Sequence, residues 1–334
     1  MIPQLKQILA LTALIAAVTQ QAYPRAGDNL PNTLLAQAPV SENNGTAAAP
    51  QNAPPDHSEE TIKKISRTRT INIGYREASR PLSYLDISSR PIGYGKEICD
   101  YIANAVKQEL KMPEIKIVYF SITSSNRIPM LQNGTIDMEC SSTSITQERK
   151  KLVDFSIPYF VANLRLMTRK DYHFKTLNDL SNKTIIVTAG TTAEKIIDDA
   201  LDTHKHNITV IKGREHADSF MMVKSGYAAA YAIDDVLLAA AISSFRDPNA
   251  YELIGPSLNA EFYGVMFRKD EPQFKKIVNE TLIRLMKSGE AEKLYSRWFM
   301  KPIPPFDRAL NIPMSDQLIE IFAHPEAQTD LQNL

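Results

Sequence analysis

The sequence has no excess of charge of either sign, because its 38 Lys and Arg residues are balanced by 38 Asp and Glu residues. A chain of this kind produces no overall field that would attract nucleic acid or an anionic membrane, so any anion site must be local. No nucleic-acid partner is therefore expected. The length of 334 residues exceeds one ordinary domain and fits two lobes with a tail.

Cysteine is also scarce. The two cysteines, Cys99 and Cys140, are too few for the disulfide framework of a small secreted domain. Each lies in an apolar context, Cys99 in a helix-like run and Cys140 at the end of a predicted strand. The sequence is equally compatible with one bridge and with two buried thiols.

Long apolar runs are missing as well. The apolar stretch 8–18 is too short to span a bilayer, but it has the length of a signal-peptide core and follows Lys6. We therefore expect an exported protein with a signal peptide over residues 1–22, although no cleavage site is clean. Residues 23–60 are predicted to form a disordered linker, because their composition includes a stretch rich in Ala, Pro, Asn, Gly and Ser.

Motifs of common enzyme classes are absent. The chain has no Gly-x-Ser-x-Gly segment, and residues 93–96 lack the spacing of a phosphate-binding loop. His204 and His206 flank a lysine in a polar stretch without a nearby cysteine, so no metal site is expected there. Neither a cofactor nor a catalytic residue is assigned from these patterns.

What the sequence does have is an alternation of predicted strands and helices beyond residue 61. Period-two and apolar runs predict the strands, and helical spacing with capping residues predicts the helices. The predicted strands are 70–75, 115–120, 136–140, 184–188, 208–211, 227–233 and 262–268. The predicted helices include 98–110, 192–200, 216–224 and 236–243, one beginning at Pro272, and two short ones capped near Ser124 and by Thr146. This order indicates an α/β protein with parallel sheets covered by helices, in two successive units.

Three arginines, Arg76, Arg127 and Arg149, lie where a predicted strand meets a loop or a helix begins. The planar guanidinium group matches a carboxylate in a two-point contact, so three of them suggest a ligand with more than one carboxylate. Each also has a simpler interpretation. Arg127 taken alone is as readily a surface residue, and the charged stretch 148–151 could be a solvated helix face.

Other polar residues end predicted strands. Ser142, Thr188 and Asp234 fall, like Arg76, at or near the carboxyl ends of strands, where open α/β sheets bind ligands. The positions agree with a cleft between two α/β lobes. His216 and Asp234 have structural alternatives, since histidine often caps helices and acidic residues favour helix N-termini.

Several segments taken together resemble the periplasmic glutamate/aspartate-binding proteins of ABC importers, within family 3 of the solute-binding proteins. The Glu-Arg-Lys segment at 148–150 and the Asp-Phe-Ser segment at 154–156 are typical of the broad amino-acid-binding family. The Ser-Asn-Arg-Ile-Pro segment at 125–129 and the His-Ala-Asp-Ser-Phe segment at 216–220 are narrower and resemble the acidic subgroup. Further similar segments are 74–77, 131–135, 188–192, 287–293 and 302–305. The resemblance covers roughly residues 61–323.

The resemblance implies a two-lobe, type II periplasmic-binding-protein fold with two hinge crossovers. Lobe 1 would comprise residues 61–162 and 262–334, and lobe 2 would comprise residues 163–261. It also implies that Arg149 holds the α-carboxylate of the ligand, with Thr192 and the loop from Ser142 to Ser144. Asp234 would take the α-ammonium group with help from Ser142.

At the other end of the ligand, the resemblance places Arg76, Ser124, Arg127 and His216 around the side-chain carboxylate. Physical reasoning agrees, because a buried zwitterion needs a buried cation and a buried anion. The implied protein is a monomeric, non-catalytic binding protein that delivers L-glutamate or L-aspartate from the periplasm to an inner-membrane ABC permease. The alternative is a cyclohexadienyl/arogenate dehydratase-like enzyme on the same scaffold, with His216 as general acid. A third alternative is a signalling sensor, although no kinase or membrane span follows the predicted clamp.

Overall fold

The computed structural model describes residues 59–204 and 207–328. The predicted signal peptide at 1–22 and nearly all of the predicted linker at 23–60 lie outside the described residues. His206 does as well. In the part that is described, no helix is both long enough and apolar enough to cross a membrane.

The first half of the described chain alternates strands and helices as predicted. Helix α1 precedes strand β1, and three short strands form a small antiparallel sheet before the next long helix. The elements are α1 (Thr61–Thr68), β1 (Thr70–Tyr75), β2 (Ala78–Ser79), β3 (Ser83–Leu85), β4 (Pro91–Ile92), α2 (Tyr94–Glu109), β5 (Lys116–Ser121), α3 (Arg127–Gln132), β6 (Met138–Glu139) and α4 (Gln147–Lys150). The predicted strand 70–75 has the observed bounds of β1, and Ile98, Ile102 and Val106 form the buried face of α2.

The second half contains two unusually long strands that the sequence patterns did not predict as such. They are β7 (Asp154–Arg169) and β11 (Tyr251–Phe267). The other elements are β8 (Thr184–Thr188), α5 (Thr192–His204), β9 (Thr209–Gly213), α6 (His216–Lys224), β10 (Ala230–Asp234), α7 (Asp235–Ser244), α8 (Pro272–Lys287), α9 (Glu290–Tyr295) and α10 (Asp316–Ala323). Of the predicted strands, 262–268 is only the end of β11.

The strands form one eight-stranded mixed sheet in the order β5-β1-β6-β11-β7-β10-β8-β9. β5, β1 and β6 are parallel and form a first strand group, and β10, β8 and β9 form a second parallel group. β7 and β11 are antiparallel to each other and join the two groups. The parallel-rich α/β fold is therefore confirmed, with an antiparallel pair at its centre.

The predicted lobe boundaries fall inside this antiparallel pair. Ala162 is the register partner of Glu261, and Asn163 is the register partner of Ala260. Both predicted crossovers therefore lie side by side in neighbouring strands, a geometry that suits a hinge. The division at 162/163 and 261/262 stays a prediction.

The two cysteines form a disulfide bond with Cα atoms 5.8 Å apart. Of the two alternatives left by the sequence, the structure therefore has the bridge. It joins α2, which carries Cys99, to Cys140, the residue that follows β6. The loop after Cys140 contains Ser142 and Ser144, so the bridge holds the start of a predicted site segment against α2.

Candidate functional site

The three arginines singled out above are buried. Arg76 is 0% exposed, Arg127 is 1% exposed and Arg149 is 9% exposed. Arg76 directly follows β1, Arg127 is the first residue of α3, and Arg149 lies in α4 behind its N-cap residue, Thr146. Buried guanidinium groups lose much hydration and persist only where the protein or a ligand supplies partners.

Arg127 and Arg149 share one acceptor from the second strand group. The Gly190 carbonyl oxygen, in the turn after β8, accepts from Arg127 Nη2 at 3.3 Å and from Arg149 Nη2 at 3.2 Å. Nearby, the Ser125 hydroxyl donates to the Ala189 carbonyl at 3.1 Å. The residues after β8 therefore lie directly against the start of α3.

The remaining donors of Arg127 point largely into its own strand group. Its Nη1 donates to the Ser142 carbonyl at 3.2 Å and to the Thr143 hydroxyl at 2.5 Å, and that hydroxyl donates to Glu139 Oε2 at 2.7 Å. Burial and, to a smaller extent, the charge of Arg149 lower the pKa of Arg127 to about 9, while Glu139 opposes the shift. Arg127 still carries its positive charge at neutral pH.

Arg149 lies beside the loop after β6 and a group of acidic residues. Its Nη1 donates to the Ser144 carbonyl at 2.8 Å. Burial lowers the pKa of Arg149, while the nearby carboxylates of Glu261, Glu139 and Asp234 act in the opposite direction. This arginine is therefore within electrostatic reach of Asp234, as a site for the two ends of an amino acid requires.

Arg76 makes one ion pair and keeps two free donors. Its Nη2 donates to Glu215 Oε2 at 2.8 Å, and its backbone N–H donates to the Ser83 hydroxyl at 2.9 Å. Its Nε and Nη1 are buried and have no hydrogen-bond partner within the described ranges. Sequence reasoning missed Glu215, although it directly precedes the predicted helix at 216–224.

His216, the first residue of α6, is buried beside Arg76 and Arg127. Its Nδ1 lies 3.1 Å from both the Thr188 hydroxyl and the Tyr231 hydroxyl, and its Nε2 has no partner in the described part of the chain. Burial lowers the pKa of His216 well below its usual value, and the two arginine charges add to the effect. The imidazole is therefore neutral at physiological pH.

Asp234 ends β10 and is 4% exposed. Neither its buried Oδ1 nor the buried Tyr263 hydroxyl has a partner at full hydrogen-bond geometry among the residues described, although the two side chains are close enough for the hydroxyl to act against the rise in the pKa of Asp234. Burial and, to a smaller extent, the neighbouring Glu261 raise the pKa of Asp234 to about 7. Glu261 also accepts a hydrogen bond from the half-buried Thr192 hydroxyl at 3.2 Å. Neither Glu261 nor Tyr263 carried a sequence signal.

The predicted serines Ser142 and Ser144 make few side-chain contacts within the protein. The Ser142 hydroxyl lies 3.3 Å from the Ser79 hydroxyl, and the Ser144 carbonyl is held by Arg149. The Ser124 hydroxyl is buried and lacks a partner in the described residues. The structure thus brings the predicted residues into one neighbourhood, although Thr192 reaches it through Glu261.

Several buried polar atoms of this neighbourhood remain unsatisfied in residues 59–204 and 207–328. They are Arg76 Nε and Nη1, Ser124 Oγ, Arg127 Nε, His216 Nε2, Asp234 Oδ1 and Tyr263 Oη. Folded proteins rarely leave such atoms unpaired, so a group of them indicates a place where a polar molecule binds. Cationic donors and an acidic acceptor occur together, which suits a small zwitterion with extra negative charge. No cluster of three potential metal ligands is found in the part of the chain that the structure describes.

Comparison with known proteins adds a family match. Residues 71–301 match the profile of the bacterial extracellular solute-binding proteins, family 3. The chain is 40% identical over 281 residues to the glutamate/aspartate import solute-binding protein of Escherichia coli K12, which covers 84% of this chain and 92% of that protein. It is 41% identical over 266 residues to the L-glutamate/L-aspartate-binding protein of Pseudomonas aeruginosa, covering 79% and 88%.

A solved structure agrees with the fold. An ancestral arginine-binding protein bound to arginine superposes with a TM-score of 0.63 and 27% sequence identity. The similarity covers 69% of this chain and 98% of that one. The shared fold therefore includes nearly the whole of the solved protein.

Proposed function

Since this chain belongs to family 3 of the bacterial extracellular solute-binding proteins, we propose that it captures L-glutamate or L-aspartate and delivers it to the permease of an ABC importer. The ligand lies in a cleft between two lobes that close over it. The proposal is supported by two relatives with about 40% identity, one named as a glutamate/aspartate import solute-binding protein and the other as an L-glutamate/L-aspartate-binding protein.

The observation that carries the proposal is the burial of three guanidinium groups in one neighbourhood with Asp234. An acidic amino acid brings two carboxylates and one ammonium group. Arg149 holds the α-carboxylate with Thr192 and the loop from Ser142 to Ser144. Asp234 accepts the α-ammonium group, for which its unpartnered Oδ1 is available.

The side-chain carboxylate binds at the other end. Arg76 and Arg127 supply positive charge, and the unpartnered donors Arg76 Nε, Arg76 Nη1 and Arg127 Nε supply hydrogen bonds. Ser124 and neutral His216 contribute uncharged contacts. A ligand with a side-chain amide leaves this charge less well compensated, so selectivity arises partly from a penalty on neutral ligands.

Binding would stabilise the closed arrangement because the ligand contacts both strand groups. Arg76, Arg127 and Arg149 come from the side of β1 and β6, whereas His216 and Asp234 come from the side of β9 and β10. A ligand can shift a hinge only through contacts that differ between the open and closed states. We propose that the protein is a monomer that its signal peptide directs to the periplasm. The permease recognises the closed form.

No observation favours the dehydratase alternative. A general acid must hold a proton at working pH, and the pKa of buried His216 is shifted well below its usual value. We therefore propose that the protein binds without catalysis. Incubation with prephenate or arogenate, followed by product detection, should show no turnover.

Isothermal titration calorimetry with glutamate, aspartate, glutamine and asparagine tests the proposal. We expect the two acidic ligands to bind at least about tenfold more tightly than their amides, since a charge-assisted contact is lost with the amides. Equal affinities for all four ligands, or binding of none, would overturn the proposed function.

A further inference from the structure

The ion pair between Arg76 and Glu215 connects the two strand groups inside the candidate site. Arg76 follows β1 in the first group, and Glu215 precedes α6, which follows β9 in the second group. The atoms Arg76 Nη2 and Glu215 Oε2 are 2.8 Å apart, and the side chains are 0% and 17% exposed. A pair this well shielded interacts more strongly than a surface pair.

Glu215 uses only part of the guanidinium group. Arg76 Nε and Nη1 remain without partners in the described chain. Arg76 therefore keeps donors for a ligand, but a carboxylate of the protein already offsets its charge. Arg127, by contrast, donates directly to carbonyl and hydroxyl oxygens.

We propose that Glu215 is a specificity-determining residue of this site, an internal counter-ion that limits how strongly the pocket prefers a side-chain carboxylate over a side-chain amide. This inference rests on the proposed function. With Glu215 present, a ligand amide meets a partly neutralised Arg76 and is tolerated better. Without that negative charge, the amide would leave Arg76 uncompensated, and the carboxylate would be attracted more strongly.

The pair also contributes to closure, because it forms between the two strand groups. That contribution is common to every ligand that binds the closed form. It therefore cancels when the affinities of two ligands for one variant are divided. The ratio of the glutamine dissociation constant to the glutamate dissociation constant isolates the counter-ion effect.

A contact between the segment after β2 and helix α7, which follows β10, provides a matched control. Arg80 Nη2 donates to the carbonyl of Ala240 in α7 at 2.7 Å. Its charged and titratable neighbours are Tyr84 and Arg308, not the arginines of the site. Arg80→Met should weaken closure for both ligands alike and leave the ratio unchanged.

The experiment is calorimetry on the full-length protein, with glutamine affinity measured by displacement of glutamate so that millimolar values are accessible. In Glu215→Gln, which keeps an acceptor for Arg76, we expect the glutamine-to-glutamate ratio of dissociation constants to rise at least about fivefold. In Glu215→Asp, which keeps the charge, the ratio should stay within about twofold of the wild-type value. Arg80→Met should shift both constants and not their ratio.

An unchanged or lower ratio in Glu215→Gln overturns the inference while leaving the proposed function intact. A wild-type protein that binds neither ligand overturns the proposed function, and the inference with it. Circular dichroism and thermal melting verify that each variant is folded. Glu215→Ser is the second neutral variant if Glu215→Gln does not fold.

Discussion

Gly190 and Ser124 touch across the two strand groups so closely that a β-carbon on Gly190 would lie 2.8 Å from the Ser124 carbonyl oxygen. Gly190 also has φ = +77°, a backbone conformation that side chains other than glycine rarely adopt. Its carbonyl accepts from both Arg127 and Arg149. The glycine is therefore required for the close approach that brings these arginines to the turn after β8.

Gly190→Ala should therefore weaken ligand binding as well as stability. The β-carbon would meet main-chain atoms that cannot move aside, so the closed arrangement would be strained. We expect the affinity for glutamate to fall at least about tenfold, together with about 1 kcal/mol of lost stability from the positive φ. Titration calorimetry and thermal melting measure the two effects.

Gly255 provides the matched control, since its φ is +67° and nothing lies within 4 Å of its β-carbon position. Gly255→Ala should carry the backbone penalty alone and bind glutamate normally. If the two variants bound equally well, the contact between Gly190 and Ser124 would have no part in closure.

Removing either arginine from the side-chain end of the proposed site should weaken acidic ligands. Arg76→Ala and Arg127→Ala each delete a buried charge with unpartnered donors. We expect glutamate affinity to fall by more than about tenfold in each, because a charge-assisted contact is lost in a dry site. Arg90→Ala is the control, because it removes only an exposed ion pair with Asp86. It should leave the glutamate affinity unchanged. Unaltered glutamate affinity in Arg76→Ala and Arg127→Ala would show that these two arginines do not contact the ligand.

Much of the fold could be predicted from the sequence, because the residues of its strands alternate between apolar and polar or form short apolar runs. The predicted bounds of β1, β8 and α6 are the observed ones. β7 could not be read in this way, since 11 of its 16 residues are buried and no period-two pattern results. In β11 the register with β7 shifts between positions Ile254 and Asn259. The strand is therefore irregular there, and its full length could not be predicted from a regular sequence pattern.

The site was only partly predictable for a similar reason. Arg76, Arg127 and Arg149 stood out because each follows a strand or opens a helix. Glu215 could not be connected to Arg76, because the two residues are 139 positions apart and only the fold brings them together. The same holds for Glu261, which becomes a neighbour of Asp234 through the antiparallel centre of the sheet.

The raised pKa of Asp234 predicts that the affinity for glutamate depends on pH. Its pKa is raised to about 7, mainly by burial and by Glu261, with the Tyr263 hydroxyl and Arg149 opposing the shift and Asp235 adding to it. The ligand ammonium group needs the ionised carboxylate, so binding must release the proton that Asp234 holds below pH 7. Affinity for glutamate should therefore fall by up to about tenfold per pH unit between pH 7 and pH 5.

Calorimetry in two buffers with different ionisation enthalpies would detect the released proton directly. Asp234→Asn should bind more weakly at pH 8 and lose this pH dependence. A wild-type affinity that is constant from pH 5 to pH 8 would mean that Asp234 is ionised before the ligand arrives.

The disulfide between Cys99 and Cys140 should stabilise both the fold and the site. It closes a loop across 41 positions, so replacing both cysteines with serine should lower the free energy of unfolding by roughly 2–4 kcal/mol. Cys140 directly precedes the loop whose Ser142 and Ser144 carbonyls accept from Arg127 and Arg149. Because the bridge fixes the start of that loop, we also expect glutamate affinity to fall.

Thermal melting and calorimetry of the wild type under reducing conditions should reproduce the double variant, whereas the reductant should not affect the variant itself. A wild type whose melting temperature is insensitive to a reductant that has been shown to free both thiols would contradict this role.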